Sequence, residues 1–481
     1  MADQHGRQAA WAEWKARAEV PGRLEVGVAL LAVVVTLAWS GAPLVEDALF
    51  WWVPKALLAA EKGPSLVLAG GLPEAMVLGR ELATLPPQWS GGLPDYAHPP
   101  LWYWWLGLWL KLFGNSVLVV HLACAPVAGA LGAGGVALAR RLGSPWAGLA
   151  PFCAPPVLAQ LVRPELDLPL LAGVVWALVA LLGGRWTAFA VLSALSVWVK
   201  EPGVLLVVPA LLMWTLGDRR PSSLPMVFAP LLALGAWGLV HGGLAGAERL
   251  PDSLSAWMTD DLPQALRLAW WEQGRALWAV GMAGAIAVLR PRDRVAWTVL
   301  GSLVLVWVVF FSVVGFRLQP HNPEPLTHVR YFGPAFVVGA VLAASRWPLV
   351  VLPGLVFLHQ RSVFGPEGSL YGVDAGRAEA ASAPWIAEQV AEGRTVWVGS
   401  YQAAALSQPW SGHPGAPVAG VRVYSVDTRP ESIAVGDLVM LAAYGEPAGV
   451  LARAWTLEPV RDWTAGAATV TAAEVSGPRR R

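Results

Sequence analysis

Charge is what this chain has least of. Only 14% of its 481 residues are Asp, Glu, Lys or Arg, against about 25% in an ordinary soluble domain. Cysteine is nearly missing too. Cys124 and Cys153 are the two present, and both lie inside apolar runs. A disulfide framework and a cysteine-based zinc site are thereby set aside, which leaves packing as their role. No basic run is longer than the terminal Arg479-Arg480-Arg481, so nucleic-acid binding has no support. A net charge of +1 says nothing of partners, because the two signs are segregated to different loops. No internal repeat is visible.

What is present is apolar. Hydrophobic residues make up 56% of the chain, with 28 Trp among them, and they recur in blocks of membrane-spanning length. That pattern predicts an α-helical polytopic membrane protein. The first run, Val26 to Trp39, follows Arg7, Lys15, Arg17 and Arg23. It resembles a signal peptide, with Ser40-Gly41-Ala42 near a possible cleavage point. The long charged leader and the spans that follow favour an uncleaved first span. Further runs are Ser116 to Ala139, Pro145 to Leu161, Leu166 to Leu182, Trp186 to Val199 and Val204 to Leu216. After them come Met226 to Val240, Ala276 to Leu289, Val295 to Val314, Tyr331 to Ala344 and Pro348 to Leu358. About eleven spans are expected on this length criterion.

Arginine placement tests the count. Arg140-Arg141, Arg185, Arg219-Arg220, Arg290, Arg292, Arg294 and Arg346 fall in every second connection, as cytoplasmic loops should. The agreement requires that Leu101 to Phe113, about 13 residues against the roughly 20 of a span, does not cross. Rich in Trp and Tyr, it suits a helix lying in the interface. The expected division is a cytoplasmic tail at 1–23, a membrane domain at 24–359 with a large first outer loop at 41–115, and a soluble extracytoplasmic domain at 360–481. In that last part, alternating stretches such as Thr395-Val396-Trp397-Val398, Val421-Arg422-Val423-Tyr424 and Leu438-Val439-Met440-Leu441 indicate strands. A helix is expected over Pro384 to Glu392. A small α/β domain follows, with no Gly-rich phosphate motif or catalytic cluster, whose role is a lid, an acceptor platform or stabilisation.

Polar residues with chemical potential converge on the outer side. Glu46-Asp47 stands just past the first span, where a partly desolvated carboxylate is suited to general-base work; a solvated interfacial pair is the plainer reading. Asp167 opens another span and reads by itself as a helix cap. His98 precedes Pro99-Pro100, which fix the backbone before the aromatic segment; a turn histidine is the alternative. Lys200 ends an apolar run and is followed by Glu201-Pro202-Gly203, so it has little continuous helix along which to snorkel. It is suited to a lipid phosphate, or to an interfacial pair with Glu201. Arg330-Tyr331 and Arg163 are further phosphate candidates, or headgroup anchors. His321 and His328 lack the tight spacing of a metal site.

These stretches together resemble a known group. Glu46-Asp47-Ala48-Leu49-Phe50-Trp51-Trp52 resembles the acidic first-loop motif of the GT-C superfamily of glycosyltransferases, in its protein mannosyltransferase and aminoarabinose transferase group. Tyr96-Ala97-His98-Pro99-Pro100-Leu101 is similar to that group's (His/Lys)-Pro-Pro-Leu segment, and Lys111-Leu112-Phe113-Gly114 to its Phe-Gly end. Glu165-Leu166-Asp167 resembles its second acidic motif, Val199-Lys200-Glu201-Pro202-Gly203 its Thr-Lys-Gly/Glu-Pro turn, and Arg330-Tyr331 its Arg-Tyr motif. Residues 24 to 345 carry the likeness. The acidic pair here reads Glu-Asp where the group has Asp-Glu, so either member stands as the base, and the interval from Asp47 to His98 is longer than in the group.

The resemblance implies transfer of a sugar from a polyprenyl-phosphate donor to an acceptor at the outer face of the cytoplasmic membrane, with inversion. Glu46 or Asp47 would be the base, Asp167 would orient the acceptor or the base, and His98, Lys200, Arg330, Tyr331 and Arg163 would hold the donor phosphate. It implies no metal and no cofactor; its partners are the lipid-linked donor, membrane lipids and an acceptor that is a glycan, a lipid or a protein. The competing class is a transporter or flippase, which would carry paired halves or helices broken at the bilayer midplane; here no internal repeat is visible and the charge sits at the outer ends of spans rather than mid-span.

Overall fold

The computed structural model describes residues 22–44, 48–68, 93, 95–153, 155–163, 165–217, 220–241, 294–318, 332–346, 371–408, 411–424, 432–441, 451 and 454–479. Glu46, Asp47, Arg330, Tyr331, His321 and His328 lie outside them. So do two of the expected spans, Ala276 to Leu289 and Pro348 to Leu358.

The described residues are mostly helical, with one small sheet. Helix α1 (Arg23–Ala38) leads to a turn of π-helix at Ala48–Trp52, which runs into α2 (Val53–Lys62). Helix α3 (Leu101–Phe113) has 13 residues and lies against α2. The approach is close because residue 107 is glycine: a Cβ there would meet the Ala56 carbonyl oxygen at 2.7 Å. Helix α4 (Val117–Arg141) is capped by Ser116, whose hydroxyl accepts from the Val119 amide at 3.3 Å. Then follow a 3-10 segment (Pro145–Cys153), α5 (Pro155–Val162), α6 (Asp167–Leu182) and α7 (Trp186–Val199). A second 3-10 turn (Glu201–Leu206) leads into α8 (Val207–Leu216), α9 (Leu224–Val227) and α10 (Ala229–Val240). Helices α11 (Arg294–Leu318) and α12 (Gly333–Arg346) complete the bundle.

The apolar runs within the described residues are helical, but several are broken. Pro145 to Leu161 divides into a 3-10 segment and α5, Val204 to Leu216 starts as 3-10 before α8, and Met226 to Val240 divides into α9 and α10. Proline inside or at the edge of each run removes a backbone donor and forces the change of geometry. By length and composition α4 is long enough to cross a bilayer, and Pro221–Val227 with α10, bent by 41°, passes the same test as one broken span. The bundle is knit by α4, which packs on α1 and α6, while α6 packs on α7. Its outward faces are apolar: Val26, Leu30 and Val34 form an exposed stripe on α1, and Leu232 and Leu239 on α10 stand outward at 67% and 86% exposure.

The C-terminal part opens with α13 (Tyr371–Ala391), which extends further toward the N-terminus than the helix expected at Pro384. It continues with β1 (Val396–Gly399), α14 (Ser400–Leu406), β2 (Arg422–Tyr424), β3 (Leu438–Leu441), β4 (Trp455–Ala465) and β5 (Ala468–Pro478). The sheet order is β2-β1-β3-β5-β4, with β1 parallel to β2 and β3, and β5 antiparallel to β3 and β4. Helix α14 is the crossover between parallel neighbours that such a pair requires. Its core sets Ile386 of α13 against Val396, Val398, Leu438, Met440 and Val470.

This part is joined to the first loop. Ala404 and Ala405 belong to the core of the helical bundle. The Gln408 side chain donates to the Leu49 carbonyl at 3.1 Å, and the Leu44 amide donates to the Ser411 carbonyl at 3.1 Å. Those two bonds fall on either side of residues 45–47.

Candidate active site

The site is built on breaks between helices. Helix α7 stops at Val199 because Pro202 lacks the amide needed to continue it; Lys200 adopts an extended conformation (φ −158°, ψ 133°) and the 3-10 turn starts at Glu201. Gly203 lets that turn fold back on α7. A Cβ at this position would lie 2.7 Å from the backbone of Ser196 and Val197. The consequence is that Lys200 and Glu201, adjacent in sequence, reach different partners.

Lys200 Nζ donates to Asp167 Oδ1 at 2.6 Å, and both residues are buried. Asp167 is the first residue of α6, after Leu166 at the cap position. Pro169 follows in the first turn, where a missing amide breaks no intrahelical bond. Glu201 Oε2 lies 2.8 Å from His98 Nδ1, so the histidine is tied to a residue 103 positions away and not to its own turn. Burial alone would raise the Glu201 carboxyl; the charge and hydrogen bond of His98, helped by its own backbone and Lys200, hold it below the usual carboxylate range. Glu201 Oε1 is buried and has no hydrogen-bond partner among the described residues. Arg163 and Glu165, both buried, form a third pair at 2.8 Å, in contact without the alignment of a hydrogen bond.

A residue that sequence reasoning passed over completes the cluster. Lys55, on α2, is fully buried, and its ammonium donates to the Asp95 carbonyl at 2.8 Å. It lies over the rings of Trp51 and Tyr103 at 5.3 and 5.9 Å, within cation–π range. Burial lowers its pKa to about 8, with the Asp95 carboxylate pulling the other way. Asp95 Oδ1 accepts from the amides of Leu68 and Tyr96 at 2.8 and 2.7 Å. That fixes the strand of chain leading to His98. The available signal was that Lys55 is the one charge in the run Ala48 to Ala60.

Aromatic rings tie these parts together. Trp52 packs at 5.8 Å on both His98 and Tyr103, and Tyr103 packs at 4.9 Å on Tyr96. The helical turn bearing Trp52 starts at Ala48, the residue after Asp47. The structure thus joins His98, Glu201, Lys200 and Asp167 by contact and adjacency, and brings the turn after Glu46-Asp47 onto His98. Arg163 is placed one short turn before Asp167. Among the described residues no group of His, Cys, Asp and Glu has the arrangement of a metal site.

No family model and no curated protein sequence matches the chain. Among solved structures it is similar to the crystal structure of ArnT from Cupriavidus metallidurans bound to undecaprenyl phosphate. Identity is 16%, coverage 95% of this chain and 99% of that one, and the TM-score 0.48.

Proposed function

We propose that the chain is a membrane glycosyltransferase of GT-C type, which moves a sugar from a polyprenyl phosphate to an acceptor at the outer face of the cytoplasmic membrane. The observation that carries this reading is the clustering of His98–Glu201, Lys200–Asp167 and the caged Lys55 at helix breaks beside the turn that follows Glu46-Asp47. Ionisable groups placed among apolar helices are costly, and they mark function by default. The outward apolar stripes on α1 and α10 suit hydrocarbon around the bundle.

In the reaction proposed, Glu46 or Asp47 takes the proton of an acceptor hydroxyl as its oxygen attacks the anomeric carbon. The bond from that carbon to the phosphate oxygen breaks, and polyprenyl phosphate leaves with the electron pair. In-line attack inverts the anomeric centre. Negative charge grows on the leaving phosphate, so fixed cations facing it stabilise the transition state. Lys200 and His98 are already oriented by carboxylates, which keeps them in place at no reorganisation cost when the phosphate arrives; Lys55 adds a cation in a dry ring cage. Arg330, Tyr331 and Arg163 are further phosphate contacts in this scheme. Glu201 Oε1 is an acceptor suited to a sugar hydroxyl. Metal is not required.

The reading keeps a tail at 1–23, a membrane domain at 24–359 and an extracytoplasmic α/β domain at 360–481. The last steadies the first loop through Gln408 and Ser411. The test is turnover of a radiolabelled polyprenyl-phosphate sugar by purified protein. General-base substitution typically costs 10²- to 10⁴-fold, so one of Glu46→Gln and Asp47→Asn is expected to lose that much while the fold is kept. Normal donor turnover by both, and by Lys200→Ala, would refute the assignment.

A further inference from the structure

Helix α10 ends on a histidine whose side chain serves a distant part of the chain. Pro230, Ala233 and Trp237 form the buried stripe of that helix at helical spacing, and His241 stands one turn beyond Trp237 on the same face. The two rings lie 3.7 Å apart, centroid to centroid, at 38°. The His241 amide closes the helix on the Trp237 carbonyl at 3.2 Å, which asks nothing of the imidazole. The imidazole reaches the first loop instead, at two points. Its Nε2 lies 3.1 Å from the Leu66 carbonyl, 175 positions away; a carbonyl only accepts, so Nε2 carries the proton and donates. Its Nδ1 lies 3.7 Å from Asp95 Oδ2, an ion pair when the ring is protonated, and the side chain is only 14% exposed.

Both points lie at the base of the charged cluster. Asp95 gives its backbone carbonyl to Lys55 Nζ and its Oδ1 to the amides of Leu68 and Tyr96; Oδ2 is the oxygen that His241 faces. Leu66 follows α2, the helix that carries Lys55. The body of α10 packs on α7 and on the 3-10 turn Glu201–Leu206, which meet at Lys200. One helix thus touches both halves of the cluster: the turn that presents Lys200 and Glu201, and the loop that presents Lys55 and His98. We propose that His241 is a positioning residue of the transfer reaction, clasping the first loop to α10 so that Lys55 and His98 stand at a fixed distance from Lys200. Cations fixed in advance stabilise charge growing on a leaving phosphate without reorganising, and His241 contributes to that fixity through Leu66 and Asp95. The inference rests on the function proposed above.

The test compares the full chain with its His241→Phe and His241→Gln variants. Turnover of a radiolabelled polyprenyl-phosphate sugar is measured, and amide hydrogen exchange is followed in the same samples. Phenylalanine keeps a ring on Trp237 and removes both polar contacts. Glutamine gives up the ring and keeps an amide N–H for the Leu66 carbonyl. His241→Phe is expected to lower kcat about tenfold, inside the roughly 10²-fold that a displaced group can cost, with a smaller change in donor KM. It is also expected to lose exchange protection at the Leu68 and Tyr96 amides, which Asp95 holds. His241→Gln is expected to recover most of both. Parental kcat in His241→Phe overturns the proposal, as does a raised KM at unchanged kcat, or unchanged exchange at those two amides. Glutamine performing no better than phenylalanine also overturns it, since the Leu66 bond would then carry nothing. A parent chain that turns over no donor refutes the transfer reading and this role with it. A parent that turns over donor beside an unimpaired His241→Phe refutes this role alone.

Discussion

The two ends of the helical bundle treat charge in opposite ways. At one end Lys200, His98 and Arg163 each meet a carboxylate, and Lys55 is caged by a carbonyl and two rings. At the other end Arg140 on α4 pairs with Glu25 on α1, and Arg185 ahead of α7 stands exposed. Paired buried charge holds a geometry and stays neutral until a ligand brings its own charge. Charge left at the surface is solvated and fixes little geometry. The first arrangement suits chemistry at a fixed place, the second suits orientation in a membrane.

Breaking a buried pair should therefore be far more damaging than removing the exposed Arg185. Lys200→Ala takes the cation away from the buried Asp167, a break of a buried pair that costs about 3–5 kcal/mol; thermal unfolding in detergent should show the largest shift of any substitution named here. The double change Lys200→Met with Asp167→Leu should recover most of that stability and none of the turnover. Recovery of both would make the pair a packing feature only.

Lys55 sharpens the comparison through pH. Its folded pKa of about 8 is below the ordinary 10.5, so between those values the unfolded chain holds more protons and stability rises with pH. Turnover should move the other way, falling as pH passes 8 and the cation is lost. Lys55→Met should lower turnover roughly 10²-fold, the scale of a misplaced group, and erase that limb of the pH profile. An unchanged alkaline limb in Lys55→Met would assign it to another group.

Gln408→Ala is expected to have the smallest effect. Losing the amide that holds the Leu49 carbonyl should cost about 1 kcal/mol, with a modest fall in turnover that is greater than the fall in donor affinity. Affinity falling with turnover unchanged would mean the C-terminal part contacts donor and does not steady the loop.

Much of this was legible in the chain. Leu101–Phe113 and Trp186–Val199 are helices at the residues where the apolar runs indicated them, because long apolar blocks bounded by Gly, Pro or charge leave few choices. Lys200 and His98 stood out because charge and proline interrupt apolar sequence there. Their partners were not legible. His98 and Glu201 are 103 residues apart, and no local pattern encodes a contact of that range; Glu201 read as the mate of its neighbour Lys200. Lys55 was missed because a lysine in a short amphipathic helix ordinarily faces water, and only the packing of α2 on α3 buries it. The β4–β5 hairpin was missed for another reason. Strand β4 is an edge strand carrying Glu458, Pro459, Arg461 and Asp462, with a register shift at Pro459. An edge exposed on most of its length shows no apolar alternation to read.

The most direct measurement is photo-crosslinking with a polyprenyl phosphate that carries a diazirine beside its phosphate, followed by peptide mapping. The account predicts label on the stretches around Trp51 to Lys55, His98 to Tyr103 and Lys200 to Gly203, competed by unlabelled polyprenyl phosphate. Competable label confined to the opposite end of the bundle, around Arg140 and Arg185, or to the C-terminal sheet would contradict it.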